Sequence, residues 1–142
     1  MWFHRFAGVV AAMLVLGLLV AAGCGTEKEY AGNLVETYDK AKATGTAADM
    51  KAIGTALSAY RLDHGDYPSA GGIDALAAEL SPDYLRIAAT RDKWGRPFNY
   101  SAGPLGYTLV STGEDGREGT ADDLVLEDGR LTRTPPGFGP SF

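Results

Sequence analysis

The 142-residue sequence predicts an α+β fold, a long N-terminal helix packed on a small antiparallel β-sheet. Three observations predict it. Apolar residues recur at helical spacing between Thr26 and Tyr60. Beyond Pro82 the pattern changes to short runs that read as strands. An Asp-Gly pair, Asp128-Gly129, then stands between two such runs, as in a tight hairpin.

The elements follow in order. Residues 26–43 read as helix: Thr26 with Glu29 fits a capping box, and Tyr30, Leu34 and Tyr38 share a face. Thr44-Gly45-Thr46 interrupts the pattern, and Thr46 followed by Asp49 reads as a second start. Met50, Ile53, Leu57 and Tyr60 then build one apolar helix face. Gly65 ends this helix, and Tyr67-Pro68 cannot extend it. A shorter helix is expected from Ile73 to Leu80, with Leu76 and Ala77 on the same face and Pro82 as its stop. Phe98–Ser101, Tyr107–Ser111 and Leu124–Glu127 read as strands, and Asp128-Gly129 turns the chain into Leu131. The Pro-, Gly- and Phe-containing tail, 135–142, has no period and is expected to be disordered.

The N-terminus lies outside this domain. Phe6 to Gly23 carries no charge, Arg5 precedes it, and Ala21, Ala22 and Gly23 lead to Cys24. A positive start, an apolar middle and small residues at the cut are the layout of a secretory signal. The segment LVAAGC resembles a bacterial lipobox, with Ala21 where Leu is most frequent, so Cys24 is the expected lipidation site. An uncleaved anchor is the alternative, since about 18 apolar residues are just enough to span a bilayer. The chain thus divides into a lipoprotein signal peptide (1–23), a partly helical membrane-proximal spacer (24–45), a folded domain (46–134) and the tail. With one cysteine there is no internal disulfide, and a domain of this size gains from another staple. The formal net charge is −5 and basic residues are not clustered, so nucleic acid is not an expected partner.

The segment Tyr107–Leu124 offers that staple. A strand runs into a loop holding Asp115, Asp122 and Asp123, with Gly113, Gly116 and Gly119 between them. Glycines allow the tight curl that gathers carboxylates, and gathered carboxylates repel unless a cation neutralises them. Oxygen ligands of this kind suit Ca²⁺. The spacing is not that of an EF-hand.

Three blocks carry a resemblance to a known family. They are ALSAYRLDHGDYPSAGGIDAL (Ala56–Leu76), DKWGRPFNY (Asp92–Tyr100) and STGEDGREGTADDL (Ser111–Leu124). In this order they resemble the periplasmic domain of the type II secretion major pseudopilin, general secretion pathway protein G. The resemblance implies a pseudopilin-like fold and a calcium site in the third block. It implies side-chain ligands at Asp115, Asp122 and Asp123, and backbone carbonyl ligands at Thr112 and Thr120. Lys93 replaces the family's usual Pro. The family's leader and its Glu at the fifth position after the cleaved Gly are not found: Met13 follows Gly8 at that distance, and Ala22 follows Gly17.

The expectation is therefore a lipid-anchored, calcium-stabilised domain of the cell envelope, facing the periplasm or exterior, with the outer membrane favoured by Gly25 after the cysteine. Its partners would be the membrane, through the lipid, and envelope or pseudopilus proteins. The alternative is a true pseudopilin with a degenerate leader. A small-ligand-binding lipoprotein is a third class, for which the domain has little room. His4 and His64 are the only histidines, and no nucleophile motif surrounds a serine, so neither an enzyme nor a small-molecule substrate is expected. Trp94 is expected to be a core anchor.

Overall fold

The computed structural model describes residues 26–139, with side chains described from residue 31. The signal-like segment, Cys24, the capping-box side chains of Thr26 and Glu29, and the end of the tail lie outside the described residues. Among those described, no helix is long and apolar enough to cross a membrane. By its contacts the chain divides into two units, 1–38 and 39–142.

Helix α1 is Thr26–His64. In the first unit its described part exposes Leu34, Val35 and Tyr38. In the second unit, Ala43, Thr46, Ala47, Met50, Ile53 and Leu57 are buried, the stripe a 3.6-residue period puts on one side. Tyr60 packs partly buried at its end. Gly65 closes the helix, its N–H donating to the Arg61 carbonyl at 2.8 Å.

The break expected at Thr44-Gly45-Thr46 is absent: α1 runs straight through it. Tertiary contacts override the local signal. The Thr44 hydroxyl donates to the Lys40 carbonyl at 2.8 Å, so it does not compete with the helix. Thr46 is fully buried and, instead of capping, accepts the Lys93 backbone N–H at 3.1 Å. Gly45 makes room for the Lys93 stem, since a Cβ there would lie 3.0 Å from Lys93 Cε. Asp49 likewise turns to Lys93, whose Nζ lies 2.6 Å from Asp49 Oδ2. The angle is poor for a hydrogen bond and both groups are partly exposed, so this ion pair contributes about 1 kcal/mol at most. The packed region therefore starts inside the segment expected to be spacer.

Helix α2, Ile73–Leu80, buries Ile73, Leu76 and Leu80. Ala77 stays half-buried. Four strands follow: β1 (Asn99–Gly103), β2 (Gly106–Ser111), β3 (Leu124–Glu127) and β4 (Arg130–Arg133). They form an antiparallel meander in sequence order. Asp128 and Gly129 both adopt positive φ, 47° and 83°, as the tightest hairpin turns demand.

The core lies between α1 and the sheet. Met50, Ile53, Leu57, Leu76, Leu80, Phe98, Leu109, Leu124 and Leu126 are buried there. Gly54 sets the closest approach: a Cβ would meet the Tyr107 hydroxyl at 2.7 Å and Leu126 Cδ2 at 3.0 Å. Of the segment expected as a loose tail, Phe138 packs partly buried against the core, and its N–H donates to the Pro135 carbonyl at 3.1 Å.

Candidate metal centre

The loop between β2 and β3, residues 112–123, starts from the buried Ser111 and Thr112 and ends on the buried Asp123. Such a loop must satisfy its own backbone, and its carboxylates do that. Asp122 Oδ2 accepts the Asp115 N–H at 2.9 Å, and Asp122 Oδ1 accepts the Thr120 hydroxyl. Asp115 Oδ1 accepts the Arg117 N–H at 2.7 Å and lies 3.4 Å from the Thr120 hydroxyl. Asp115 and Asp122 are thus joined through Thr120. Burial alone would push the Asp122 carboxyl up. The Thr120 hydroxyl and the amides of Asp115, Asp122 and Glu114 outweigh it and hold the group below the usual carboxylate range. Gly113 has φ 57°, and a Cβ there would run into the Asp122 carbonyl and carboxylate, so only glycine fits.

Asp123 behaves differently. It is fully buried; its Oδ2 accepts the Gly119 N–H at 2.7 Å and faces Arg133 Nη1 at 3.3 Å. Its Oδ1 is buried with no hydrogen-bond partner. A buried carboxylate oxygen without a donor is costly and calls for one.

Of the two backbone positions, the Thr112 carbonyl accepts the Gly116 N–H at 3.1 Å. Thr120 acts through its hydroxyl, which also donates to the Arg117 carbonyl at 3.0 Å. Among the described residues, no three His, Cys, Asp or Glu side chains gather closely enough to hold a metal ion. The donor chemistry nevertheless suits a hard divalent cation: carboxylates, hydroxyl and carbonyl oxygens, with one buried oxygen unsatisfied.

The residue that sequence reasoning missed is Asp92. It is 5% exposed, and Oδ1 accepts the N–H groups of Trp94 and Arg96 at 3.0 and 2.9 Å. Its Oδ2 accepts the Ser111 hydroxyl at 2.7 Å, tying this turn to the root of the acidic loop. Arg96 adds a second tie, Nη1 donating to the Gly113 carbonyl at 2.7 Å. The Asp-x-x-Gly pattern of a side-chain-capped turn was the available signal for Asp92. Trp94 packs partly buried on the core, with its Nε1 buried and unpartnered.

Away from the loop, His64 stacks on Tyr60 at 4.1 Å, and its Nε2 lies 3.2 Å from the Tyr84 hydroxyl, which donates to Asp63 at 2.9 Å. An open groove of about 430 Å³ is lined by Ser58, Arg61, Leu62, Gly65 and Tyr67, with Arg61 over the Tyr67 ring.

Comparison with known proteins places the chain in a family. The family model described as type II secretion system (T2SS), protein G, matches residues 33–126. The type II secretion system core protein G of Pseudomonas aeruginosa is 32% identical over 130 residues, covering 81% of this chain and 84% of the relative. Those of Aeromonas hydrophila and Vibrio cholerae are 30% and 28% identical, over 82% of this chain and 85% and 84% of their own lengths. No solved structure matches. With about two thirds of its length inside that model, including most of α1, α2, β1, β2 and the acidic loop, the chain belongs to the type II secretion system protein G family.

Proposed function

We propose that this chain is a lipid-anchored, calcium-stabilised pseudopilin-like domain that works in type II secretion through protein–protein contacts in the cell envelope. The observation that carries the reading is Asp123, a fully buried carboxylate with an unsatisfied oxygen at the end of a loop of oxygen donors. Asp115, Asp122 and Asp123 would hold the ion through their side chains, and Thr112 and Thr120 through their backbone carbonyls. The ion would neutralise the three carboxylates and tie the loop into one shape. The role is structural, with no reaction catalysed. The lipid reading is supported by Cys24 at the end of LVAAGC.

A ligand that binds only the folded chain stabilises it by about 2.7 kcal/mol at a hundredfold excess over Kd. The expected result is a higher melting temperature in millimolar CaCl₂ than in EDTA, with no such rise in MgCl₂. Asp122→Ala should lose most of that response, and an unchanged response in this variant refutes the site.

A second reading is favoured by the relatives, which match over 84–85% of their own length. In it the chain is a true pseudopilin that enters a pseudopilus. Mass spectrometry of the mature N-terminus separates the two. Acylated Cys24 supports the lipoprotein, and a methylated residue after a glycine supports the filament subunit.

A further inference from the structure

Arg133 is the last residue of β4, and its guanidinium faces one carboxylate of the acidic loop. The β3–β4 register is irregular between Val125 and Leu126, so Arg133 pairs with Val125, two residues from Asp123. Arg133 Nη1 lies 3.3 Å from Asp123 Oδ2. The two partners differ in surroundings: the Asp123 side chain is 1% exposed, that of Arg133 51%. The carboxylate is fixed inside the protein, and the cation reaches it from solvent. On the carboxylate, Oδ2 also takes the Gly119 N–H, while Oδ1 has no donor.

We propose that Arg133 is a resident counter-cation of Asp123 that competes with the divalent ion and so sets the loop's affinity for it. The inference rests on the calcium reading above. A buried carboxylate without a cation is strongly unfavourable, and a half-exposed guanidinium supplies one without being locked in place. When the ion binds, the like charge beside it opposes it, and the long, solvated arginine swings away at modest cost. When the ion leaves, Arg133 returns. The consequence is a loop that holds its fold at low calcium and binds the ion more weakly than its carboxylates alone would.

The test uses the full chain in detergent, with CaCl₂ titrated calorimetrically and melting followed in EDTA. Arg133→Gln should bind calcium about tenfold more tightly, the scale of removing one partly screened like charge beside a divalent ion. The same variant should melt at a lower temperature than wild type in EDTA. Arg133→Lys, which keeps the charge, should fall between the two and covers the case of an Arg133→Gln chain that does not fold without calcium. Arg130→Gln removes the same charge from the same exposed strand and should match wild type in both measurements.

Calcium binding that is unchanged or weaker in Arg133→Gln, with wild type still binding, overturns the competition and leaves the calcium reading intact. Equal tightening in Arg130→Gln also overturns it, because the effect is then one of bulk charge. Absence of calcium binding in every chain overturns both readings. Binding by Arg133→Gln alone supports the competition in its strongest form.

Discussion

Strand β3 is entered through one connection and left through another, and both are built from Asp and Gly. The exit is the pair Asp128-Gly129, whose positive φ values close the hairpin by local geometry alone. Asp128 adds one bond, its Oδ1 accepting the Tyr107 N–H at 3.0 Å. The entry, residues 112–123, has no ladder to lean on. It stands on carboxylates that accept its own amides, and on Asp92 and Arg96, which hold it from another part of the chain. The same two residue types thus close a two-residue turn by backbone geometry in one place, and in the other hold a long loop through side-chain bonds, some within it and some from Asp92 and Arg96. Damage to the entry should therefore cost more than damage to the exit.

The largest expected loss is at Asp123. Asp123→Ala removes the buried acceptor of the Gly119 N–H and leaves a cavity in its place, and should destabilise the chain by about 3 kcal/mol in EDTA. A urea unfolding series measures it, and a loss below about 1 kcal/mol would show that the entry does not depend on its buried carboxylate. Asp92→Ala comes next, at about 2 kcal/mol, from three lost hydrogen bonds outside the loop itself. If loop amides near Gly113 keep their hydrogen-exchange protection in that variant, the bracing account is wrong.

At the exit, Gly129→Ala places a Cβ at φ 83° and should cost about 1–2 kcal/mol without changing the response to calcium. The smallest effect is expected at Tyr107, whose buried hydroxyl has no hydrogen bond of good geometry, the Gly129 amide being the nearby backbone donor. Tyr107→Phe should change stability by less than about 0.5 kcal/mol at neutral pH. Burial pushes this hydroxyl from 10.0 up to about 12, opposed by the Gly129 amide. The unfolded chain therefore ionises first: stability is full below pH 10 and falls as the pH rises to 12. The Phe variant should show a flatter decline over that range in alkaline melts.

What was legible in the sequence follows the same division. The face Met50-Ile53-Leu57, the stop at Gly65, helix α2 and the Asp128-Gly129 turn were readable because each depends on near neighbours in the chain. The continuity of α1 through Thr44-Gly45-Thr46 was not, because Lys93, far along the chain, decides it. In the site, the residue types of the acidic loop were readable, and Asp115, Thr120 and Asp122 do come together. The burial of Asp123, its pairing with Arg133 and the service of Asp92 all come from register and packing, which no local pattern encodes.

Gly54 has a mechanical consequence. Because the Tyr107 hydroxyl and Leu126 fit against a helix surface lacking a side chain at this one place, helix and sheet form a keyed joint. Sliding α1 by one turn, about 5.4 Å, would bring Met50 or Ser58 into the notch, and neither fits it. A pull along the helix axis thus meets a shape that does not slip, and the load passes into the sheet until the core itself gives way.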